Sequence, residues 1–192
     1  MKLRVLILED HAADAELASA QLRRAGWDVV DRRVDSESEF ERVLGDFEPE
    51  VVLCDHGLMG VTAREALDRL KAIQPQTPFL VVTGAIDVVS VVDLIKGGAD
   101  DVVLKSDLGR LVSSVRSALD ARAKLATLSR RQIEVLLLIV AGRTTREVAE
   151  HLGLSLKTVE THRTEMMRRL DIHEVAGLVR YAVKVRLIPP ES

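Results

Sequence analysis

Val51-Val52-Leu53-Cys54-Asp55 decides how the first half of this chain must be read. Four apolar residues in an unbroken run are what a strand covered on both faces requires. The run then breaks at once on a carboxylate. Working outward, Lys2 to Leu8 ends the same way in Glu9-Asp10, Phe79-Leu80-Val81-Val82 leads into Thr83-Gly84, and Val102-Val103-Leu104 leads into Lys105. Trp27 to Val34 is a weaker strand pattern, expected nearer an edge. Between the strands lie helical patterns. Ala12 to Ala25 stops at Gly26, and Val88 to Lys96 stops at Gly97-Gly98. Ser36-x-x-Glu39 and Thr62-x-x-Glu65 are capping boxes for two more helices, and Leu108 to about Ala126 is long and amphipathic.

Strands alternating with helices in this way predict an α/β doubly wound, five-stranded parallel sheet of the flavodoxin-like kind over residues 1–120. In such a sheet, chemistry gathers at the carboxyl ends of the strands. Glu9, Asp10 and Asp55 would meet there with the Thr83 hydroxyl and the Lys105 ammonium. Three packed acids repel one another unless a cation sits among them, and hard oxygen ligands suit Mg²⁺. An ammonium opposite them, with a hydroxyl alongside, can grip phosphoryl oxygens. Gly57 and Gly84 leave room for a phosphoryl group to approach the central acid. These residue types suit a carboxylate that accepts a phosphoryl group with metal help.

The remainder, residues 128–192, reads as a small all-α domain of four helices, joined through a helical linker at 121–127 that is rich in Ala, Arg and Lys. Ser129-x-x-Gln132 and Thr144-x-x-Glu147 cap the first two helices, Ser155 caps a third from Leu156 to Leu170, and a fourth runs from about Glu174 to Val185. Ala149, Gly153 and Val159 have the spacing of a helix-turn-helix: a small residue where the helices cross, glycine in the turn, an apolar anchor beyond. Val148, Leu152, Leu154, Val159 and Met166 would form the shared core. The opposite face of the third helix then carries Lys157, Thr158, Glu160, Thr161, Thr164 and Arg168. A short polar helix with an exposed first turn is what enters a major groove.

Length and charge agree with two joined parts. The chain has 192 residues, 47% of them apolar, and a net charge of −3. Residues 1–120 hold 14 Lys and Arg against 22 Asp and Glu, a net −8, whereas residues 121–192 hold 13 against 8, a net +5. An acidic half joined to a basic half suggests a regulatory part and an anion-binding part. Cys54 is the single cysteine, which excludes an intramolecular disulfide framework and a cysteine-based zinc site. The apolar run Val5 to Leu8 is too short for a signal-peptide core or a bilayer span, so a cytoplasmic, membrane-free protein is expected. His11 and His56, beside the acids, lack ligand-spaced partners and read as loop residues.

Two families resemble these halves. Glu9-Asp10, the lone Asp55, Thr83, and Gly98-Ala99-x-Asp101 leading to Lys105 make residues 1–120 resemble the receiver domain of two-component response regulators. The resemblance implies that Asp55 is the phospho-acceptor and that Glu9, Asp10, Asp55 and the Gly57 carbonyl hold Mg²⁺. It also implies that Thr83 and Lys105, beside Gly84, bind the phosphoryl oxygens. The chain departs from the receiver pattern at Met59, Ala63 and Ser106, where Pro, Gly and Pro are usual, and at Val102, where an aromatic ring usually swings on activation. A cis bond before Ser106 would cost about 2.5–4 kcal/mol, so the Lys105–Ser106 bond is expected trans.

Leu128-Ser129-x-Arg131-Gln132-x-Glu134-Val135-Leu136, Glu147-Val148-Ala149-x-x-Leu152 and Ser155-x-Lys157-Thr158-Val159-Glu160-x-His162-Arg163 closely resemble the LuxR/NarL-type DNA-binding domain. By that resemblance the third helix is the recognition helix. Lys157, Thr158 and Arg163 would anchor to phosphates or base edges, Thr161 and Thr164 would lie near bases, and Arg168 would share their face. Glu160 would accept from cytosine or repel off-register phosphates. The fourth helix, with Leu178, Val179, Ala182 and Val183, would serve dimerisation, or equally a contact with the receiver.

The expected function is a DNA-binding transcription regulator whose phosphorylation on Asp55 by a sensor histidine kinase modulates dimerisation. It is not expected to be an enzyme beyond assisting its own phosphoryl transfer. Double-stranded operator DNA and a second copy of the chain are the expected partners, with RNA polymerase as a further candidate. The rival reading is an atypical receiver that acts without phosphate, as a dimerisation or protein-binding module. A metal-dependent phosphohydrolase is disfavoured because Gly57 stands where a second acid is needed.

Overall fold

The computed structural model describes residues 2–58 and 60–189, so Met59 and Pro190 lie outside the described residues. The chain divides into two compact units between Leu119 and Asp120.

The first unit alternates β1 (Lys2–Leu8), α1 (Ala12–Arg24), β2 (Asp28–Val34), α2 (Glu37–Phe47), β3 (Val51–Cys54), α3 (Ala63–Ile73), β4 (Phe79–Thr83), α4 (Val88–Gly97) and β5 (Asp101–Leu104). A 3₁₀ turn at Lys105–Asp107 leads into α5 (Gly109–Ala126), which crosses the division. All strand pairings are parallel, in the order β2-β1-β3-β4-β5. This is the doubly wound sheet that the apolar runs require, with β2 on an edge.

The two-residue period of a strand sends neighbours to opposite faces, and at the inner strands β3 and β4 both faces are dry. Leu6, Leu8, Val52, Cys54 and Val81 pack with Phe40 and Leu44 of α2, Leu67 and Leu70 of α3 and Leu94 of α4. Val5, Ile7, Leu53, Leu80, Val82 and Val103 pack with Ala15, Ala18 and Leu22 of α1 and Leu111 and Val115 of α5. Each fully buried Leu or Val contributes about 1.5–3 kcal/mol relative to exposure, so both layers hold the strand ends in fixed register. In α4 only Leu94 and Gly97 are buried, leaving Val88, Val89, Val92 and Ile95 exposed on an apolar helix.

One local expectation needs correction. Thr62 caps α3 through a complete box with Glu65, but the Ser36 side chain makes no cap hydrogen bond at the start of α2. Glu39, the partner expected there, points instead to Arg42. The Lys105–Ser106 bond is trans, as expected, since no cis bond occurs among the described residues.

The second unit adds α6 (Arg130–Val140), α7 (Thr145–Leu152), α8 (Leu156–Leu170) and α9 (Val175–Lys184). Ser129 and Thr144 form complete capping boxes with Gln132 and Glu147, and Ser155 caps α8 by accepting from the Thr158 N–H. Gly153 takes the left-handed turn (φ 64°) between α7 and α8. Of the expected shared core, Val148, Val159 and Met166 are buried, with Ala149 and Leu170, whereas Leu152 and Leu154 are only half-buried against them.

In the expected linker at 121–127, residues up to Ala126 close α5, Thr127 turns, and the segment is packed. Ala121 is buried in the core of this unit, and its carbonyl accepts from the Tyr181 hydroxyl at 2.8 Å. Lys124 donates to the Leu170 carbonyl, and the Thr127 carbonyl accepts from Arg169. Among the described residues, no helix is long and apolar enough to cross a membrane.

Candidate functional site

The strand order decides which ends meet. β1 and β3 are neighbours, so Glu9 and Asp55 emerge side by side, and the Asp55 N–H donates to the Leu8 carbonyl at 2.9 Å. β5 is two strands away from β3. A long side chain is therefore needed to cross the end of β4, and Lys105 supplies it. Its Nζ lies 2.8 Å from Glu9 Oε2 and 3.2 Å from Asp55 Oδ2. The Thr83 side chain ends β4 between them; it is 2% exposed, and its hydroxyl donates to the Ala85 carbonyl at 3.0 Å. Gly57 and Gly84 border the rim without crowding it. A Cβ on Gly57 would stand 3.7 Å from Asp55 Oδ2, and one on Gly84 would meet nothing within 4 Å.

Two residues absent from the sequence-based expectation complete the rim. Asp14, in the first turn of α1, holds Lys105 Nζ at 2.6 Å, the shortest of its three carboxylate contacts. Arg33 of β2 donates to the Glu9 carbonyl at 2.8 Å and the Asp10 carbonyl at 3.3 Å. A four-residue spacing from Asp10 would have put Asp14 on the same side of the rim. The β1–β2 pairing Ile7↔Arg33 explains the reach of Arg33.

The electrostatics reflect burial. Glu9 is 3% exposed, and that burial raises its pKa, while the hydrogen bond from Lys105 opposes the rise. Burial works against the Lys105 charge too, but the carboxylates of Asp14, Glu9 and Asp55 outweigh it and raise its pKa. Asp10 lies outward of this group and pairs with His11 Nδ1 at 2.7 Å, which lowers the Asp10 pKa and raises that of His11. His11 is exposed, as expected of a loop residue, yet its ring joins Glu9 and Asp10 in one cluster of potential ligand atoms. His56 is half-buried, with Nδ1 buried and unpartnered. Burial pushes the Cys54 thiol well up, so it stays protonated and inert.

One ammonium among the ionised forms of Glu9, Asp14 and Asp55 leaves the group net negative. A small hard cation fits that residue of charge. Mg²⁺ takes only one or two carboxylates directly and keeps waters or phosphate oxygens for the rest, so an incomplete cage of this kind suits it.

On α8, Lys157, Glu160, Thr161, Thr164 and Arg168 are exposed, while Thr158 and Arg163 are half-buried. The Thr158 hydroxyl is shared with Ser155 Oγ at 2.8 Å, and the Thr161 hydroxyl donates back to the Lys157 carbonyl. Thr161 thus offers its methyl group with its donor already placed. Glu160 is engaged within the domain: Oε1 accepts from the Thr145 hydroxyl at 2.7 Å and lies 3.9 Å from Arg163. On α9, Leu178 and Ala182 are 0% exposed in the domain's own core. The dimerisation surface expected there loses both, because a three-turn helix on so small a domain needs them inward. Val179 and Val183 remain half-buried, and Val175 is exposed.

Comparison with known proteins agrees with both halves. Residues 5–116 match the response regulator receiver domain, and residues 126–182 match the bacterial regulatory proteins of the luxR family. Both are regulatory families. The transcriptional regulatory protein LiaR of Bacillus subtilis is 27% identical over 210 residues, covering 97% of this chain and 99% of that protein. Full-length FixJ from B. japonicum aligns in structure with a TM-score of 0.50 at 26% identity, over 96% of this chain and 98% of that one. The signal receiver domain of a putative Luxo repressor protein from Vibrio parahaemolyticus aligns with a TM-score of 0.57 at 26% identity, over 66% and 95%. The receiver family alone spans more than half of the chain, and the luxR family covers most of the remaining residues. The chain belongs to the response regulators of the NarL/FixJ kind: a two-component receiver domain joined to a luxR-type DNA-binding domain.

Proposed function

We propose that Asp55 accepts a phosphoryl group from a sensor histidine kinase, and that this state changes how the second domain pairs and binds operator DNA. The observation that carries the reading is Lys105 Nζ, delivered from β5 across the sheet to 3.2 Å from Asp55 Oδ2 and 2.8 Å from Glu9 Oε2. A carboxylate oxygen of Asp55 attacks phosphorus as the bond from phosphorus to the donor nitrogen breaks. Lys105 and the Thr83 hydroxyl, once turned from Ala85, would donate to the phosphoryl oxygens beside Gly84. Glu9, Asp10, Asp55 and the Gly57 carbonyl would hold Mg²⁺, whose charge offsets that of the phosphoryl oxygens. The chain's own part in the chemistry would be to assist this transfer to its own side chain.

Residues 1–120 would serve as the receiver and 128–192 as the reader of DNA, acting in the cytoplasm. Lys157, Thr158, Arg163 and Arg168 would hold the phosphate backbone, while Thr161 and Thr164 face bases. Glu160 would steady α8 on α7 through Thr145 rather than read cytosine. Val179 and Val183 would contribute to a twofold dimer on half-sites about 10 base pairs apart. RNA polymerase would be met from the DNA-bound dimer.

The phosphate-independent reading is not favoured, because the acceptor, its ammonium and its buried acid stand together. Labelling with a small phosphodonor tests this: the parent chain takes up one phosphoryl group in the presence of Mg²⁺, and Asp55→Asn takes up none. Equal labelling of Asp55→Asn would contradict the assignment.

A further inference from the structure

Lys105 is held by one carboxylate more than the phosphoryl chemistry uses. An ammonium has three N–H donors. Here Lys105 Nζ donates to Asp14 at 2.6 Å and to Asp55 at 3.2 Å, and pairs with the Glu9 carboxylate at 2.8 Å. Glu9 and Asp55 belong to the acceptor site in either state. Asp14 does not; it comes from α1, whose buried Ala15, Ala18 and Leu22 fix the helix against the sheet.

An acid in a helix's first turn has a simpler explanation, favourable interaction with the helix dipole. That effect amounts to a few tenths of a kcal/mol up to about 1 kcal/mol and needs no partner. It does not account for a carboxylate oxygen placed 2.6 Å from an ammonium 91 residues away, nor for a side chain about two-thirds buried.

We propose that Asp14 competes with the phosphoryl group for the Lys105 ammonium and so holds down the loading of Asp55. The inference rests on the acceptor reading above and adds to it a positioning residue that acts through Lys105. Two effects point the same way. While Asp14 holds the shortest of the three contacts, one donor is withheld from the phosphoryl oxygens. Its negative charge also repels the incoming group, which carries close to two of its own.

The test is titration of the full chain with beryllofluoride and Mg²⁺, followed by calorimetry, with thermal unfolding as a check on each variant. Asp14→Asn, which keeps the shape and removes the charge, binds roughly three- to tenfold more tightly than the parent. Asp14→Ala gains as much. Asp107→Asn removes the same charge two residues from Lys105, on an exposed side chain that makes no ion pair with it, and binds as the parent does. A parent that binds while Asp14→Asn gains nothing, or weakens, overturns the role given to Asp14 and leaves the acceptor in place. A gain by Asp107→Asn equal to that of Asp14→Asn also overturns it, since bulk charge would then be the cause. A parent that takes up no beryllofluoride removes the acceptor reading and this inference together.

Discussion

At the rim of the sheet, Glu9 is almost wholly buried and Lys105 makes ion pairs with three carboxylates from three elements, whereas along α8 Lys157 and Arg168 stand in solvent. The same residue types are used in opposite ways. The rim fixes its charges in advance by burial and hydrogen bonding, at a cost in desolvation that the carboxylates outweigh for Lys105 but that Lys105 only reduces for Glu9. The helix leaves its cations hydrated, so they order only against a partner that brings its own charge. A pre-organised site is screened little by salt, and an exposed one is screened heavily.

Salt therefore gives the largest contrast. Two copies of α8, each presenting Lys157, Arg163 and Arg168, would release about six counterions on DNA. Operator affinity should then fall by roughly 10³-fold between 50 and 200 mM salt. Uptake of the phosphoryl group at Asp55 should change by no more than a few-fold over the same range. A shallow DNA response would break the comparison. Within the steep one, Lys157→Ala should weaken cognate and random DNA alike, and Thr161→Ser should alter preference between sequences.

Stability sharpens the same contrast from the other side. Lys105→Met leaves the buried Glu9 carboxylate beside two other acids with no ammonium, and should cost about 2 kcal/mol in urea unfolding, part of it recovered by added Mg²⁺. Lys157→Met, on an exposed face, should stay within about 0.5 kcal/mol. Equal losses would mean that the rim is no more pre-organised than the helix. A smaller effect separates the caps. Thr144→Ala, which breaks a complete capping box, should cost about 1 kcal/mol, while Ser36→Ala, whose side chain caps nothing, should cost a few tenths at most.

Legibility in the sequence divides along the same line, between patterns and distances. Val51 to Cys54 and Phe79 to Val82 read directly as strands because a doubly covered strand leaves no choice of residue type. Asp55 and Lys105 read as partners because both stand where such strands end. Asp14 escaped because a first-turn acid is common for reasons of its own, and only three-dimensional placement shows it on Lys105. Arg33 escaped because its reach depends on β2 lying beside β1, which spacing alone does not fix.

Apolar helices show how little composition says about burial. Leu178 and Ala182 looked free for a partner yet complete the domain's own core, whereas Val88 and Val89 of α4 stand exposed. Periodicity marks an apolar face without saying what covers it. Residues 121–127 taught a related lesson: helix-forming composition predicted the helix, but not that Ala121 and Lys124 would be tied to Tyr181 and Leu170.

The central claim is that Asp55, and no other acid of the rim, carries the phosphoryl group. Reductive trapping with borohydride after labelling by a small phosphodonor and Mg²⁺ converts an aspartyl phosphate to homoserine, and peptide mass mapping then locates it. The account predicts homoserine at position 55 alone, and its absence when Mg²⁺ is withheld. Homoserine at position 10 or 14, with Asp55 intact, would contradict it.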